Sequence, residues 1–199
     1  MRRIIDILFA SAVLIILSPL LFTVACLIVL TSPGNPFFGG WRAGRGGQNF
    51  RMWKFRTMVN GAGKLGPITG KNDPRVTPLG RLLRKTKIDE LPQFVNVLLG
   101  DMTLVGPRPE SPDIVALYTP SQKAVLAVKP GVTGRVQISC DDESETIPEG
   151  VDPKQYYINH LLDPKLRLDL DYIEQRTVLT DLKVIVDTAA LMMRALVRV

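Results

Sequence analysis

The chain has 199 residues, enough for one domain of ordinary size and an appendage, and 46% of them are apolar. Two cysteines and one histidine exclude a disulfide framework and a multi-histidine metal cluster. Residues 1–100 carry 14 Lys+Arg against 4 Asp+Glu and residues 101–199 carry 11 against 15, so the net charge of +6 arises from a half at +10 and a half at −4.

From Ile7 to Leu30 no residue is charged, a run of 24 positions that is long enough to enter or span a bilayer. Arg2 and Arg3 give it the basic start of a signal peptide. The run is too long for a typical signal core, however, and no clean small-residue cleavage site follows, so a mature membrane element is expected. Ser18-Pro19 falls near its middle, where proline removes a helical hydrogen bond and kinks the helix. Cations flank both ends, with Arg42, Arg45, Arg51 and Lys54 following, so charge bias gives a spanning helix no clear orientation. A helix-break-helix with both ends on the cytoplasmic side satisfies that bias; a proline-kinked spanning helix remains open on the residues alone.

Residues 31–36 (Thr-Ser-Pro-Gly-Asn-Pro) read as the turn that leaves the membrane. Residues 37–58 are glycine-rich and basic, with Phe50, Met52, Trp53 and Phe55 suggesting short strands or a hairpin, and 59–76 read as a loop. Thr77-Pro78 supplies an N-cap and a first-turn proline for a helix to about Lys85. A second helix is expected from near Asp89 to Leu99, stopped by Gly100. Further on, the pattern predicts a helix within Pro112–Val128, then a turn over 129–134 leading into a short strand. An acidic loop over 139–153 containing Cys140 follows, then helices at about 154–161 and 165–178. The tail from Asp181 to Val199 predicts an amphipathic helix, packed on the domain or lying in the bilayer interface. No internal repeat or low-complexity linker is present.

Asp89-Glu90 is the pair that carries chemistry. Arg81, Arg84, Lys85 and Lys87 precede it and Arg108 follows, and cations around a carboxylate pair keep the acids ionised while also holding an anionic substrate. A metal here would be hard and oxygen-ligated, with Mg²⁺ the first candidate. The plainer reading is that Asp89 caps a helix, which is what an Asp before a helix usually does. Nucleic acid suits the basic half poorly, because few aromatics are interleaved with its cations and no nucleic-acid motif is present.

Several motifs recur in one order: Lys54-Phe55-Arg56-Thr57-Met58, Asp73-Pro74-Arg75-Val76-Thr77 and Asp89-Glu90-Leu91-Pro92-Gln93. After them come Asn96-Val97-Leu98, Gly100-Asp101-Met102, Val105-Gly106-Pro107-Arg108-Pro109 and Lys129-Pro130-Gly131-Val132-Thr133-Gly134. With this ordered set the chain resembles the monotopic phosphoglycosyl transferases, also called bacterial sugar transferases, over nearly its whole length and in the short, catalytic-core form.

The resemblance implies a predominantly helical α+β fold. Residues 1–36 would form a re-entrant membrane hairpin broken at Ser18 and Pro19, and residues 37–199 a cytosolic catalytic domain with short strands and interfacial amphipathic helices. It implies transfer of a sugar 1-phosphate from a UDP-sugar to polyprenol phosphate, with release of UMP, at the cytoplasmic face of the bacterial inner membrane. This would be the first membrane step of glycan assembly, with anionic phospholipids and downstream glycosyltransferases as further partners. Asp89 would be the nucleophile of a ping-pong reaction through a phosphoaspartyl intermediate and would hold Mg²⁺ with the diphosphate. Glu90 would assist by orienting or deprotonating the acceptor phosphate. Lys54, Arg56, Arg84 and Arg108 are candidates for phosphate or headgroup contacts, and Glu110 for binding the nucleotide or bracing Arg108. Trp41, where many relatives have glutamine, and Arg135–Cys140 depart from the family pattern and leave the sugar open. Two other readings are a non-catalytic membrane-tethered interaction module and a Mg²⁺-dependent hydrolase of nucleotide diphosphate sugars.

Overall fold

Two helices open the chain, α1 (Arg2–Ile16) and α2 (Ser18–Thr31), with a 61° bend between them. The structure, a computed structural model, describes residues 2–62, 73–139, 146–148 and 150–197, with side chains to 194. The bend follows from Pro19, whose missing N–H leaves the Ile15 carbonyl without its helical donor. The Ser18 hydroxyl takes that role, donating to Ile15 O at 2.8 Å. Among the described residues no single helix is long and apolar enough to cross a membrane, whereas the bent pair together is. Ile4, Leu8, Ile15, Ile16, Phe22 and Leu30 are exposed on its outside.

Both outer ends of the bent pair pack on the rest of the chain. Ala10 of α1 enters a core with Phe50, Met52, Val97, Met102 and Tyr172, while Val24 and Ile28 of α2 pack with Phe55 and Leu83. The expected hairpin is β1 (Phe37–Ala43) paired antiparallel with β2 (Asn49–Phe55). Alternation along β2 puts Phe50, Met52 and Lys54 on one face and Trp53 and Phe55 on the other. The first set faces the helix α4 (Gln93–Leu99), so Lys54 is the polar end of a core-facing row.

Helix α3 (Pro78–Lys85) forms as its capping residues predict, with Thr77 Oγ1 accepting from Gly80 N at 2.9 Å. Backbone bonds from Val59 N to Arg75 O and from Thr77 N to Thr57 O zip residues 57–59 to 75–77. A short parallel pair, β3 (Thr103–Val105) and β4 (Gly131–Thr133), delivers residues 106–110. Here the two strands' backbones touch: a Cβ on Gly131 would lie 2.1 Å from Gly106 N, so glycine is required.

Three expectations are corrected. Asp89 and Glu90 do not start an α-helix; they sit in a 3₁₀ turn, Ile88–Glu90, and α4 begins only at Gln93. Lys87 adopts a left-handed backbone (φ 58°) that turns the chain, and Pro92 cannot donate to an α-helical ladder, so Asp89 caps nothing. The helix expected within 112–128 is present as the short α5 (Pro112–Val115), and a 3₁₀ stretch at Gln122–Ala127 follows, since Thr119-Pro120 disfavours continuation. The strand predicted after 134 is β4 itself, and Arg135–Ser139 is a short helix, α6. The helices expected at 154–161 and 165–178 run together as α7 (Pro153–Tyr156), a π-helical turn at Tyr157–Leu161, and α8 (Leu162–Glu174).

The tail is helical as expected, α9 (Val178–Val197). Val184 enters the core, and Leu179, Leu182, Val186 and Met193 stay exposed. Residues 140–145 and 149 of the expected acidic loop, Cys140 among them, lie outside the described residues.

Candidate active site

The site forms where three segments meet: the end of β2, the 3₁₀ turn after α3, and the loop after β3. Lys54 donates to Glu90 Oε1 at 2.7 Å, and Arg108 grips the same carboxylate through Nη2 at 2.8 Å and Nη1 at 3.4 Å. Burial alone would raise Glu90, but Arg108 and Lys54 outweigh it and hold the carboxyl well below its ordinary value. Burial lowers Lys54 in turn, against the pull of Glu90.

Asp89 is in the opposite situation. It is 6% exposed, and no hydrogen bond to its carboxylate is present among the described residues. Burial pushes it up to about 6, against Lys54 and with Glu90 adding repulsion, while Arg84 and Lys87 pull it down from nearby. Adjacent acids have thus been driven apart: Glu90 is locked well below its ordinary value, whereas Asp89 is raised to about 6 with its oxygens uncommitted among the described residues.

Asn96 sets the spacing. Buried in α4, it accepts from Trp53 N at 2.9 Å and donates to Arg51 O at 2.7 Å, fixing β2 so that the next residue, Lys54, meets Glu90. Thr57 orients Arg84, accepting from its Nε at 2.9 Å.

Of the residues singled out from sequence, Asp89, Glu90, Lys54, Arg84 and Arg108 come together. Arg56 points elsewhere: its guanidinium donates to Ser32 O, to Pro33 O at 2.9 Å and to Asn60 Oδ1 at 2.6 Å, clamping the turn that leaves α2. Glu110 lies on the far side of the Arg108 loop, accepting from Tyr157 OH and from Lys165 Nζ at 3.2 Å. Ser18 and Pro19 are at the bend of α1 and α2. Sequence reading missed Asn96, Thr57, Tyr157, Lys165 and the buried Asp169 of α8; Asn96 and Thr57, each within a quoted motif, offered a signal.

Among the described residues no three His, Cys, Asp or Glu side chains converge as a metal site. Asp89 still suits a hard divalent ion, because its carboxylate has no donor among the described residues and a cation would offset the penalty of ionising it in a buried place. The remaining ligands would be oxygens of a bound phosphate and water.

A carboxylate left without donors beside one locked by two cations is an arrangement for group transfer to or from an anionic substrate, and the comparisons agree with it. The family model for bacterial sugar transferase matches residues 1–195. The chain belongs to the bacterial sugar transferase family. This family member is 36% identical over 190 residues to the UDP-glucose:undecaprenyl-phosphate glucose-1-phosphate transferase of Escherichia coli (strain K12), covering 93% of the chain and 38% of that protein. The protein of the same name from Caulobacter vibrioides is 36% identical over 194 residues, covering 94% and 67%. The undecaprenyl-phosphate galactose phosphotransferase of Salmonella typhimurium is 35% identical over 211 residues, covering 98% and 40%. The bacterial sugar transferase chain thus spans well under half the length of the Escherichia coli and Salmonella relatives.

Proposed function

We propose that this protein transfers a sugar 1-phosphate from a UDP-sugar to polyprenol phosphate, releasing UMP. The observation that carries the reading is the uncommitted Asp89 carboxylate beside a Glu90 clamped by Lys54 and Arg108. In the first half-reaction an Asp89 oxygen attacks the phosphorus nearer the sugar, the anhydride bond breaks, and UMP leaves with the electron pair. In the second, an oxygen of the lipid phosphate attacks the phosphoaspartyl phosphorus and returns Asp89 as a free carboxylate. Burial favours the first step, since a carboxylate that ionises reluctantly is less shielded by water when it attacks.

Glu90 stays ionised throughout and orients the incoming acceptor phosphate through the Lys54 and Arg108 charges it shares. Arg84 and Arg108 hold phosphate oxygens, with Arg108 able to leave one arm on Glu90. Asp89 would hold Mg²⁺ with the diphosphate, and the ion would supply charge neutralisation on the phosphoryl oxygens.

The bent helix pair would enter one leaflet and return, so that the domain works at the cytoplasmic face of the inner membrane. Support comes from its packing: the start of α1 and the end of α2 both bind the same domain, which a spanning helix could not do from opposite sides of a bilayer. Anionic phospholipids would meet the basic first half, and a downstream glycosyltransferase would take up the product.

The test is UMP release by purified protein with Mg²⁺, polyprenol phosphate and a panel of UDP-sugars. Release that Asp89→Asn abolishes is expected; no release from any sugar, or equal release by that variant, overturns the reading. Cysteine labelling from each side of the membrane tests the hairpin, which a periplasmic N-terminus would rule out.

A further inference from the structure

Asp6 is the one acidic residue before Asp73; it stands on α1, and the next charged residue along the chain is Arg42. A carboxylate at the edge of a membrane helix is costly unless it is satisfied by the protein, so its partners show what it is for. It is 8% exposed and turned away from the apolar outer face. One oxygen accepts from Thr103 Oγ1 at 2.8 Å and the other from Leu104 N at 3.2 Å. Both partners belong to β3, the three-residue strand that leads directly into Gly106, Pro107 and Arg108.

Its neighbours on α1 reach the same framework. Arg3 donates to Val97 O and, at 2.9 Å, to Leu98 O, closing the C-terminal end of α4, the helix that follows the Asp89-Glu90 turn. Arg2 pairs with Asp181 at 3.4 Å, Asp181 also pairs with Arg176, and Arg176 donates to Val105 O at 2.8 Å. The first two turns of the membrane helix are therefore bonded to β3 and to α4, the elements flanking Arg108 and the carboxylate pair.

We infer that Asp6 is a positioning residue that sets the Arg108 loop from the membrane helix, by holding β3 at Thr103 and Leu104. Such a short strand has few bonds of its own: β4 supports one edge, and Asp6 supplies a charged acceptor to the Leu104 N–H. Slackening β3 shifts the Arg108 fork on Glu90, where about an ångström is enough to change turnover by roughly 10²-fold. Turnover and membrane attachment are thereby tied together, because the residue that sets the site rides on the helix that enters the bilayer. The inference rests on the transferase reading for its activity arm and on geometry alone for its other arm.

The experiment compares Asp6→Ala, Asp6→Asn and Thr103→Val in full-length protein by UMP release and by amide hydrogen exchange. Asp6→Ala is expected to lower kcat by about 10-fold or more with KM for the UDP-sugar changed by less than about 2-fold. Exchange at residues 104–108 should quicken about 10-fold while α8 amides stay unchanged. Asp6→Asn, whose side-chain oxygen still accepts from Leu104, should recover turnover to within about 3-fold. Wild-type turnover and unchanged local exchange in Asp6→Ala overturn the inference, as does exchange that rises equally in α8 and 104–108. If Asp6→Ala does not fold, Thr103→Val decides by the same local readout: faster exchange at 104–108 supports the inference and wild-type exchange overturns it. Should the wild type release no UMP, the transferase reading fails, while the exchange arm still judges Asp6.

Discussion

Two carboxylate pairs among the described residues each join a buried Asp to a half-buried Glu, and residues 108–110 of one loop connect them. In the first, Lys54 and Arg108 grip Glu90 while Asp89 has no hydrogen-bond donor among the described residues. In the second, Tyr157 and Lys165 hold Glu110 while Asp169, on α8, keeps one oxygen sealed without a partner. Burial raises both loosely held acids, Asp89 to about 6 and Asp169 to about 7. Their surroundings differ. Lys54 and Glu90 flank Asp89 much as Lys165 and Glu110 flank Asp169. But Asp89 also has Arg84 and Lys87 near it and stands on an irregular turn, whereas Asp169 stands in the middle of a helix that packs into two cores. A raised carboxyl beside a cation is therefore a poor guide to a nucleophile by itself; the reactive pair is distinguished by an acid on an irregular turn rather than in the middle of a packed helix.

The strongest way to break this contrast is Asp89→Asn, expected to reduce UMP release by at least ~10³-fold, since no other described carboxylate stands in for the nucleophile. A variant with residual activity near wild type would make the two pairs equivalent. Next comes Arg108→Lys, which keeps the charge but loses the fork on Glu90; kcat should fall about 10- to 100-fold in steady-state assays. On the other side of the same loop, Tyr157→Phe removes only a hydroxyl from Glu110. It should cost about 1–2 kcal/mol in denaturant melts while turnover stays within about 3-fold. A larger loss of turnover would mean that the second pair takes part in the reaction.

Much of the first pair was legible in the sequence, because Asp89, Glu90 and the cations near them are close in the chain or sit in recurring motifs. Lys54 was legible for a second reason: it ends a strand row whose other members, Phe50 and Met52, are apolar, so it had to meet something at the core's edge. The helix stop at Gly100 and the Thr77-Pro78 start were readable from local backbone rules. What local rules missed depends on distant partners. Arg56 looks like Lys54 in composition, yet it points across the strand to Ser32 and Pro33. Glu110 and Asp169 are separated by a stretch that includes the acidic loop, and only packing of α8 beneath the Arg108 loop joins them. The absent α-helical start at Asp89 follows from the turn of the chain at Lys87, a left-handed backbone that residue identity gives no reason to expect.

The smallest change in turnover should accompany Asp169→Asn, because its side-chain oxygen can still accept from the Arg108 backbone N–H that Asp169 faces. Its effect belongs to stability. An acid raised to about 7 in the folded chain, against about 3.9 unfolded, takes up a proton on folding between those values. Folding then binds protons, so wild-type stability falls as pH rises through 7, and the Asn variant lacks that loss. Asp169→Asn should therefore gain melting temperature over wild type at pH 8.5 and keep little of the gain at about pH 3.5, below the ordinary value of the unfolded carboxyl. Asp89→Asn in EDTA should behave likewise, with its midpoint nearer 6. Mg²⁺ separates the two: by favouring the ionised Asp89 carboxylate it should shrink the advantage of Asp89→Asn, while leaving that of Asp169→Asn where it was. Equal responses to the metal would place the ion away from Asp89 and leave the first pair with no chemical distinction from the second.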